Sequence, residues 1–256
     1  MWEKSEASEL CREISRRQSV RKYESGEVGK DILDRLEAAI SKAQRLNENQ
    51  AAFKVLGAEL VERPFGGAPC YLAAYAKSGE DAVINASFVL QQLSLWLSAR
   101  GLGSCWLGMA KPRKEAARAD GLPFFKMIAF GRGVGNIYRS STGEFRRKAL
   151  SEVSDLKRPD DILEPARLAP SAMNSQSWFF SGDSDKIRLF MAAPSFPVKG
   201  LMQPLKWADG GIALCHLWLS ALEHKCFAGF EKEDANTIKP PKKNLNYLWT
   251  VNLKIL

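Results

Sequence analysis

The sequence is poor in the residues that build metal centres and disulfide scaffolds. It has two histidines and five cysteines, with no C-x-x-C pair and no cluster of the two residue types. A structural zinc site needs four such ligands at short spacings, so no metal site is expected. Five cysteines in 256 residues are also too few for a disulfide-stapled scaffold, and their odd number leaves one over.

Long uninterrupted hydrophobic runs are also missing. The two longest apolar stretches are 82–99 and 205–222. Polar residues interrupt both of them: Asn85, Gln91, Gln92, Asp209 and His216. A membrane-spanning helix needs about 20 consecutive apolar residues. The charged segment 1–17 lacks the apolar region of a secretory signal peptide. We therefore expect a cytoplasmic protein that does not contact a membrane.

The overall composition is that of an ordinary globular protein, with 45% hydrophobic and 26% charged residues. Lysine and arginine (37) outnumber aspartate and glutamate (29), which gives a net charge of +8. Such a surplus suits an anionic ligand, although a solvated basic surface explains it equally well. The basic residues are scattered and do not alternate with aromatic ones, so no nucleic-acid partner is expected.

Three short sequences occur twice in the chain, and in the same order. The pairs are Arg16-Arg17 with Arg146-Arg147, Asp31-Ile32-Leu33 with Asp161-Ile162-Leu163, and Leu95-Trp96-Leu97-Ser98-Ala99 with Leu217-Trp218-Leu219-Ser220-Ala221. The first two pairs are 130 residues apart and the third is 122 apart. We interpret the chain as two diverged copies of one unit, 1–145 and 146–256.

Hydrophobic periodicity predicts a similar series of elements in each copy. The first copy has predicted helices at 6–17, 29–45 and 80–100 and strands at 52–57, 69–76, 105–109 and 126–130. The second has helices at 159–168 and 204–224, a hairpin over 177–192 that turns at Ser181–Asp183, and strands near 226–230 and 246–255. The paired strands favour an α+β fold with mixed sheets over a doubly wound parallel fold.

The long helices 80–100 and 204–224 are apolar on nearly all sides, so both are expected to be buried. Packing them against each other across a pseudo-twofold axis is the simplest way to bury both. The two copies would then form a dimer-like arrangement within one chain.

Two familiar catalytic patterns are not supported by the sequence. The glycines of Gly131-Arg-Gly-Val-Gly135 are wrongly spaced for a dinucleotide-binding loop, and no helix pattern follows them. A Ser or Cys hydrolase needs a nucleophile, a base and an orienting acid. His216 and Cys105 lie in apolar runs that favour a structural role, so no catalytic residue is assigned.

Two polar clusters are better candidates for a ligand site. Arg17, Ser19 and Arg21 offer guanidinium groups and a hydroxyl of the kind that bind a phosphate, although a solvated basic loop has the same composition. The segment 169–178 (Ala-Pro-Ser-Ala-Met-Asn-Ser-Gln-Ser-Trp) is rich in side chains that can pair with the edge of a heteroaromatic ring. A polar loop between a helix and a strand is the alternative.

Taken together, Arg17-x-Ser19-x-Arg21 and Pro170-Ser171-x-x-Asn174-x-Gln176-x-Trp178 resemble the nitroreductase family of FMN-dependent oxidoreductases. The stretches 101–108 and 146–153 resemble two further segments of that family. The resemblance implies a nitroreductase-like fold and FMN as the cofactor. It also implies roles for eleven residues. Those that would bind the phosphate are Arg17, Ser19, Arg21, Arg146 and Arg147. The backbone of Gly108 and Met109 would face the ring near N5. Pro170, Ser171 and Asn174 would cover the ring, and Gln176 of the same segment would also bind the cofactor.

The spacing of the motifs departs from the usual family pattern, in which one subunit carries both of them close together. Here about 150 residues separate them. At an offset of 130 residues, the positions equivalent to Pro170, Ser171, Asn174 and Gln176 are Ile40, Ser41, Gln44 and Leu46. Likewise, Ala149 and Ser151 stand where the first copy has Ser19 and Arg21. Each copy has thus lost one motif, as in a single-chain, two-repeat nitroreductase-like subgroup.

These complementary losses predict one FMN site per chain, formed between the two repeats, with a monomer sufficient for binding. The activity implied is the transfer of reducing equivalents from NAD(P)H to a nitroaromatic, a quinone or a similar small-molecule electron acceptor. A flavin- or nucleotide-binding protein of the same fold without turnover is the alternative.

Overall fold

The computed structural model describes residues 2–48, 50–157, 160–183, 185–193 and 199–254. The chain separates into two compact units. The first contains Trp2 and residues 15–144, and the second contains residues 3–14 and the chain from residue 145 onward. Most of the first helix, α1 (Lys4–Arg16), therefore belongs to the second unit.

The first unit is built on an antiparallel sheet with one long buried helix. Its elements are α2 (Lys30–Lys42), β1 (Ala51–Gly57), β2 (Cys70–Ala76), α3 (Glu80–Ser98), β3 (Gly103–Leu107), β4 (Arg118–Ala119) and β5 (Leu122–Gly131). The strand order is β1-β2-β5-β3, with β4 paired to β5. Helix α3 is buried from Ala82 to Ser98, as its apolar circumference predicts.

The polar residues of α3 hold the chain that follows α2. Asn85 Oδ1 accepts a hydrogen bond from Leu46 N, and Gln92 Oε1 accepts one from Gln44 N, each at 2.9 Å. Gln92 Nε2 donates back to Gln44 O at 2.9 Å. Buried polar groups are costly unless they are paired. The polar interruptions of the apolar run thus mark the positions where the helix fixes a neighbouring segment.

The second unit repeats this architecture. Its elements are α4 (Leu150–Val153), α5 (Asp160–Arg167), β6 (Trp178–Gly182), β7 (Lys186–Ala192), α6 (Lys199–Glu223), β8 (Phe227–Glu231) and β9 (Leu245–Leu253). The strand order is β6-β7-β9-β8. In both units the third strand in chain order lies at the edge and the last strand lies inside the sheet, and the long helix lies between the second and third strands in the sequence. The shared topology gives the sequence repeat a structural counterpart.

The α+β fold is confirmed, but the pairing within the sheets differs from the mixed pattern expected. Every pair of named strands among the described residues is antiparallel. Parallel pairing is limited to isolated bridges, Ser19 with Ser104 and Ser154 with Phe180. The reason is that the crossover through α3 connects β2 to β3, and β5 lies between these two strands and runs opposite to both.

The predicted elements agree with the observed ones to within a few residues, with two informative shifts. Strand β3 covers 103–107 rather than 105–109, which leaves Gly108 and Met109 just beyond its end. Helix α6 begins at Lys199, before the predicted start at 204. Residue 159 of the predicted helix and residue 255 of the predicted last strand lie outside the described residues. In the described part of the chain, no helix has the length and hydropathy needed to cross a membrane.

Candidate functional site

Residues 17–23 form an extended segment in the first unit. Arg17 forms an antiparallel bridge with Tyr138, Ser19 a parallel bridge with Ser104 of β3, and Tyr23 an antiparallel bridge with Gly133. Successive side chains of an extended backbone point to opposite sides, so Arg17, Ser19 and Arg21 share one face. Arg17 Nη2 donates to Ser19 Oγ at 3.2 Å. The two-residue spacing of the motif thus gathers its donors on one side.

Two glycines allow the neighbouring chain to approach this segment closely. A Cβ at Gly103 would lie 2.6 Å from Val20 Cγ2. Gly66 has a φ of +59°, and a Cβ there would lie 2.1 Å from Arg21 O. Any larger residue at either position would push the segment away. The Tyr23 hydroxyl also donates to Val20 O at 2.8 Å. This hydrogen bond holds the backbone in the middle of the segment.

The positive charges of Arg17 and Arg21 both act on the thiol of Cys105. Burial raises the pKa of the Cys105 thiol on β3, and the positive charges of Arg21 and Arg17 oppose that rise. The two arginines thus lower the pKa of the same buried side chain in the middle of β3. Arg17 is only 4% exposed, whereas Arg21 is exposed.

Arg139 is a residue of this region that the sequence analysis missed. Its guanidinium donates a hydrogen bond to Arg17 O. Burial lowers the pKa of Arg139, and the nearby carboxylate of Glu144 opposes the shift. Arg139 N also donates to Arg16 O at 2.7 Å. It follows that Arg139 is a positioning residue for the motif, and no pattern near it in the sequence indicated that role.

Gly108 and Met109 lie at the other end of β3. Ser104, which pairs with Ser19, is four residues earlier, or about 13 Å along a strand that rises about 3.3 Å per residue. Lys126 Nζ donates to Gly108 O at 3.1 Å, and a Cβ at Gly108 would meet nothing within 4 Å. Met109 is 93% exposed. The backbone at Gly108 is therefore held by a hydrogen bond at its carbonyl, and the space next to its Cα is open.

The predicted ring-covering loop lies in the second unit, between α5 and β6. Residues Ala172–Asn174 form a single 3₁₀ turn, and Met173, Asn174 and Gln176 have positive φ angles of 53°, 55° and 47°. Gln176 is buried, its backbone N donates to Ser171 Oγ at 3.0 Å, and its side-chain oxygen accepts from Lys148 N at 2.7 Å. Gln176 thus organises the loop from within.

Arg146 and Arg147 are joined to this loop. Arg147 Nη1 donates to Asn174 Oδ1 at 2.7 Å, and Asn174 Nδ2 donates to Arg146 O at 2.9 Å. The Arg147 guanidinium also donates to Ala169 O at 3.0 Å and Leu168 O at 3.2 Å. Residues predicted to have separate phosphate and ring roles therefore form one hydrogen-bonded cluster.

Asp209 of α6 is a second residue that the sequence analysis did not assign to the site. It is 3% exposed, and its carboxylate accepts from Ala172 N at 2.8 Å and from Ser175 Oγ at 3.3 Å. Its one sequence signal is that it interrupts an apolar stretch. The carboxylate thus anchors the 3₁₀ turn to the buried helix.

The predicted residues fall into two groups, one in each unit. In the first unit, Arg17, Ser19 and Arg21 lie in the extended segment that pairs with the start of β3 through Ser19, and Gly108 and Met109 lie just beyond the end of that strand. The second unit brings together Arg146, Arg147, Ser171, Asn174 and Gln176, and Pro170 lies at the start of the same loop.

The chain resembles known nitroreductases in both sequence and fold. Its structure is similar to that of a "putative nitroreductase" from Thermotoga maritima, with a TM-score of 0.65, 19% identity, and coverage of 96% of this chain and 93% of that one. Weaker similarities are found to a nitroreductase family protein from Clostridium difficile (TM-score 0.47, 20% identity, 57% and 95% coverage) and to a nitroreductase with bound FMN from Desulfitobacterium hafniense (TM-score 0.41, 12% identity, 58% and 100% coverage). No curated protein matches the sequence.

The family assignment comes from the sequence itself. Residues 9–221 match the family model described as "Putative TM nitroreductase", which is well over half of the chain. The fold shared with the Thermotoga maritima protein extends over nearly the whole length of both chains. The chain is therefore a member of this nitroreductase family.

Proposed function

We propose that the protein is an FMN-dependent oxidoreductase that passes reducing equivalents from NAD(P)H to a nitroaromatic, a quinone or a similar electron-poor acceptor. The observation that carries this proposal is the shared face of Arg17, Ser19 and Arg21 in a chain of the nitroreductase family. Guanidinium groups bind phosphate through charge-assisted and often bidentate hydrogen bonds, and a hydroxyl adds a neutral donor. The donor set therefore fits the phosphate of FMN.

The distance between the two predicted parts of the first-unit site also fits FMN. The phosphate-binding face lies beside the start of β3, and Gly108 follows its end, about 13 Å further along the strand. FMN carries its phosphate and its ring at opposite ends of a five-carbon chain. A ligand held by Arg17 and Arg21 could thus extend along β3 toward the open backbone at Gly108.

Bound FMN supplies the two-electron exchange between donor and acceptor, and the protein supplies binding and orientation. Overall, NAD(P)H loses a hydride, and a quinone gains two electrons and two protons, the second proton coming from water. Arg17, Ser19 and Arg21 hold the phosphate, and Arg139 holds the backbone of Arg17. Lys126 fixes the carbonyl of Gly108. We assign no general acid or base.

The second unit contributes the ring-covering loop in this proposal. Arg147 and Asp209 keep the loop in shape by binding Asn174 and Ala172. That Pro170, Ser171 and Asn174 cover the ring, and that Gln176 binds the cofactor with them, stays a prediction. So does the direct contact of Arg146 and Arg147 with the phosphate.

Local structure supports a single flavin per chain. Position 151, equivalent to Arg21, lies in helix α4, so the second unit has no extended segment there. Positions 40 and 41, equivalent to Pro170 and Ser171, lie in α2, which continues to Lys42 where α5 has already ended. Each repeat thus has helix at part of the stretch where the other repeat carries its motif.

Bleaching of the bound chromophore tests the proposed function. The purified protein should be yellow, lose its absorbance when NADPH or NADH is added without oxygen, and recover it in air. A yellow protein that neither donor bleaches would instead be a flavin-binding protein without turnover. A protein that binds no flavin would overturn both interpretations.

Steady-state kinetics should follow a ping-pong pattern. If one flavin face serves both donor and acceptor, the two must bind in turn. We expect parallel double-reciprocal lines when NAD(P)H is varied at several fixed concentrations of a quinone. Intersecting lines would mean that both substrates bind together, which contradicts a shared face.

Asn174→Ala should weaken the binding of FMN and riboflavin by similar factors and shift the absorption spectrum of the bound flavin. The variant removes the hydrogen bonds to Arg147 and Arg146 O that shape the loop at the ring, and both ligands have the ring. Gln44→Ala, at the equivalent position of the first repeat, is the matched control. Among the described residues, its side chain donates only to the adjacent Arg45 O, and its backbone N donates to Gln92. Flavin affinity is measured by fluorescence titration. An equal loss of affinity in the two variants would mean that the ring site has been assigned to the wrong repeat.

A further inference from the structure

A cavity of about 450 Å³ opens beside Gly108 and Met109 in the first unit. The charged and large apolar side chains that line it are Glu62, Met109, Lys111, Lys114, Phe124, Phe125 and Lys126. Three lysines and one glutamate thus line an opening that also has two phenylalanine rings. The sequence motifs gave no role to any of these residues except Met109.

The three lysines of this cavity differ in their exposure and in their contacts. Lys126 is half-buried, and its Nζ donates to Gly108 O at 3.1 Å and lies 5.8 Å from the centre of the Phe125 ring. Lys111 and Lys114 are exposed, and neither forms an ion pair with any described residue. Their ammonium groups are therefore available to an anionic ligand.

The backbone that carries the two exposed lysines is anchored on both sides. Arg113, between them, donates through its backbone N to Leu60 O and through Nε to Glu59 O, each at 2.8 Å. Glu62 N donates to Lys111 O at 3.0 Å. The lysine backbone is thus fixed, and only the flexible side chains must adjust to a ligand.

The aromatic side of the cavity is also preorganised. A tight hairpin with positive φ at Asp120 (51°) and Gly121 (76°) joins β4 to β5 and brings the chain to Phe124 and Phe125. The Phe124 ring packs edge-to-face against buried Tyr75, with ring centres 6.0 Å apart. The exposed Met109 adds a flexible, polarizable side chain, a type that adapts to ligands of varied shape.

We propose that this cavity binds the electron acceptor and that the preferred acceptor is a planar aromatic ring with an anionic substituent, such as a nitroaromatic carboxylate. The inference rests on the proposed function, because that function puts the flavin ring at Gly108 and Met109. The phenylalanines and Met109 contact the ring of the acceptor. Lys111 and Lys114 attract its carboxylate.

The test compares 4-nitrobenzoate with 4-nitrobenzamide, which has nearly the same shape but no charge. Calorimetric titration of the oxidised protein without NAD(P)H measures binding without turnover. We expect the acid to bind about tenfold more tightly than the amide at low salt, since each of the two ammonium groups contributes about fivefold at contact distance in water and the carboxylate of Glu62 opposes them by about twofold. The advantage should shrink as the ionic strength rises.

Charge variants identify the groups responsible. Lys111→Ala/Lys114→Ala should bring the ratio of the two affinities close to one. Glu62→Gln should tighten binding of the acid about twofold, an effect of the opposite sign that misfolding does not produce. Lys77→Ala removes an exposed lysine outside the cavity and should leave the ratio unchanged.

An unchanged ratio in the double variant, or an equal loss in Lys77→Ala, would overturn the inference. So would a rise in the KM for NAD(P)H without any change for the acid. The proposed function fails separately: a protein that binds no flavin yet binds the acid through these lysines would refute the flavin chemistry alone. A flavin enzyme that bleaches with NADPH but binds acid and amide equally would refute only the preference for an anionic acceptor.

Discussion

Arg17→Ala should weaken FMN binding about tenfold to 150-fold while leaving riboflavin binding nearly unchanged. A hydrogen bond to a charged group contributes roughly 1.5–3 kcal/mol, which corresponds to that range of affinity. Riboflavin has no phosphate and loses nothing. The backbone of the segment should stay in place, because Arg139 binds Arg17 through its carbonyl oxygen, which alanine keeps.

Lys22→Ala is the matched control for this experiment. Lys22 is exposed on the opposite face of the same extended segment, and its backbone O accepts from Val134 N at 3.0 Å. FMN affinity in this variant should stay within about twofold of the native value, since the exposed charge lies on the opposite face of the segment and is screened by water and salt. Fluorescence titration with both flavins provides the comparison. Equal weakening of FMN and riboflavin in Arg17→Ala would show that the phosphate does not lie at this face.

Asp209→Ala should lower the free energy of unfolding by about 1.5–3 kcal/mol, because it removes charge-assisted hydrogen bonds and leaves Ala172 N without its acceptor. It should also weaken FMN and riboflavin alike, since the loop that loses its anchor is the one proposed to cover the ring. Urea denaturation followed by tryptophan fluorescence measures the first effect. Flavin titration measures the second.

Two further variants separate the role of Asp209 from a general loss of charge. Asp209→Asn keeps an acceptor oxygen and should recover part of the stability and of the flavin affinity. Asp155→Ala removes an exposed carboxylate from the same unit and should change stability by no more than about 0.5 kcal/mol. If Asp209→Ala proves as mild as Asp155→Ala, the anchoring role is wrong.

The fold could be predicted largely because its signals are local. The periodicity of 29–45 and the apolar circumference of 80–100 indicate helices whatever they pack against, and the repeated Leu-Trp-Leu-Ser-Ala sequence lies near the end of both long helices. The limits of β3 were less predictable. They depend on pairing with β5, in which Gly103 lies opposite Gly131, and not on the apolar run itself.

The site could be predicted only in part. The two-residue spacing of Arg17, Ser19 and Arg21 implies a common face, and the structure has that face. The partners of Arg147 could not be read from the sequence, since Asn174 is 27 residues away and the two meet only after the loop folds back. Arg139 is still further from Arg17, at a separation of 122 residues. Contacts of this kind depend on tertiary structure.

We expect each chain to bind one FMN. Only the first repeat keeps the extended Arg17-x-Ser19-x-Arg21 segment, and only the second keeps the Pro170–Gln176 loop. The most direct test is to strip the purified protein of flavin and titrate it with FMN, following the quenching of flavin fluorescence against a known protein concentration. The titration should end at one equivalent per chain. An end point at two equivalents, or no binding at all, would contradict the claim.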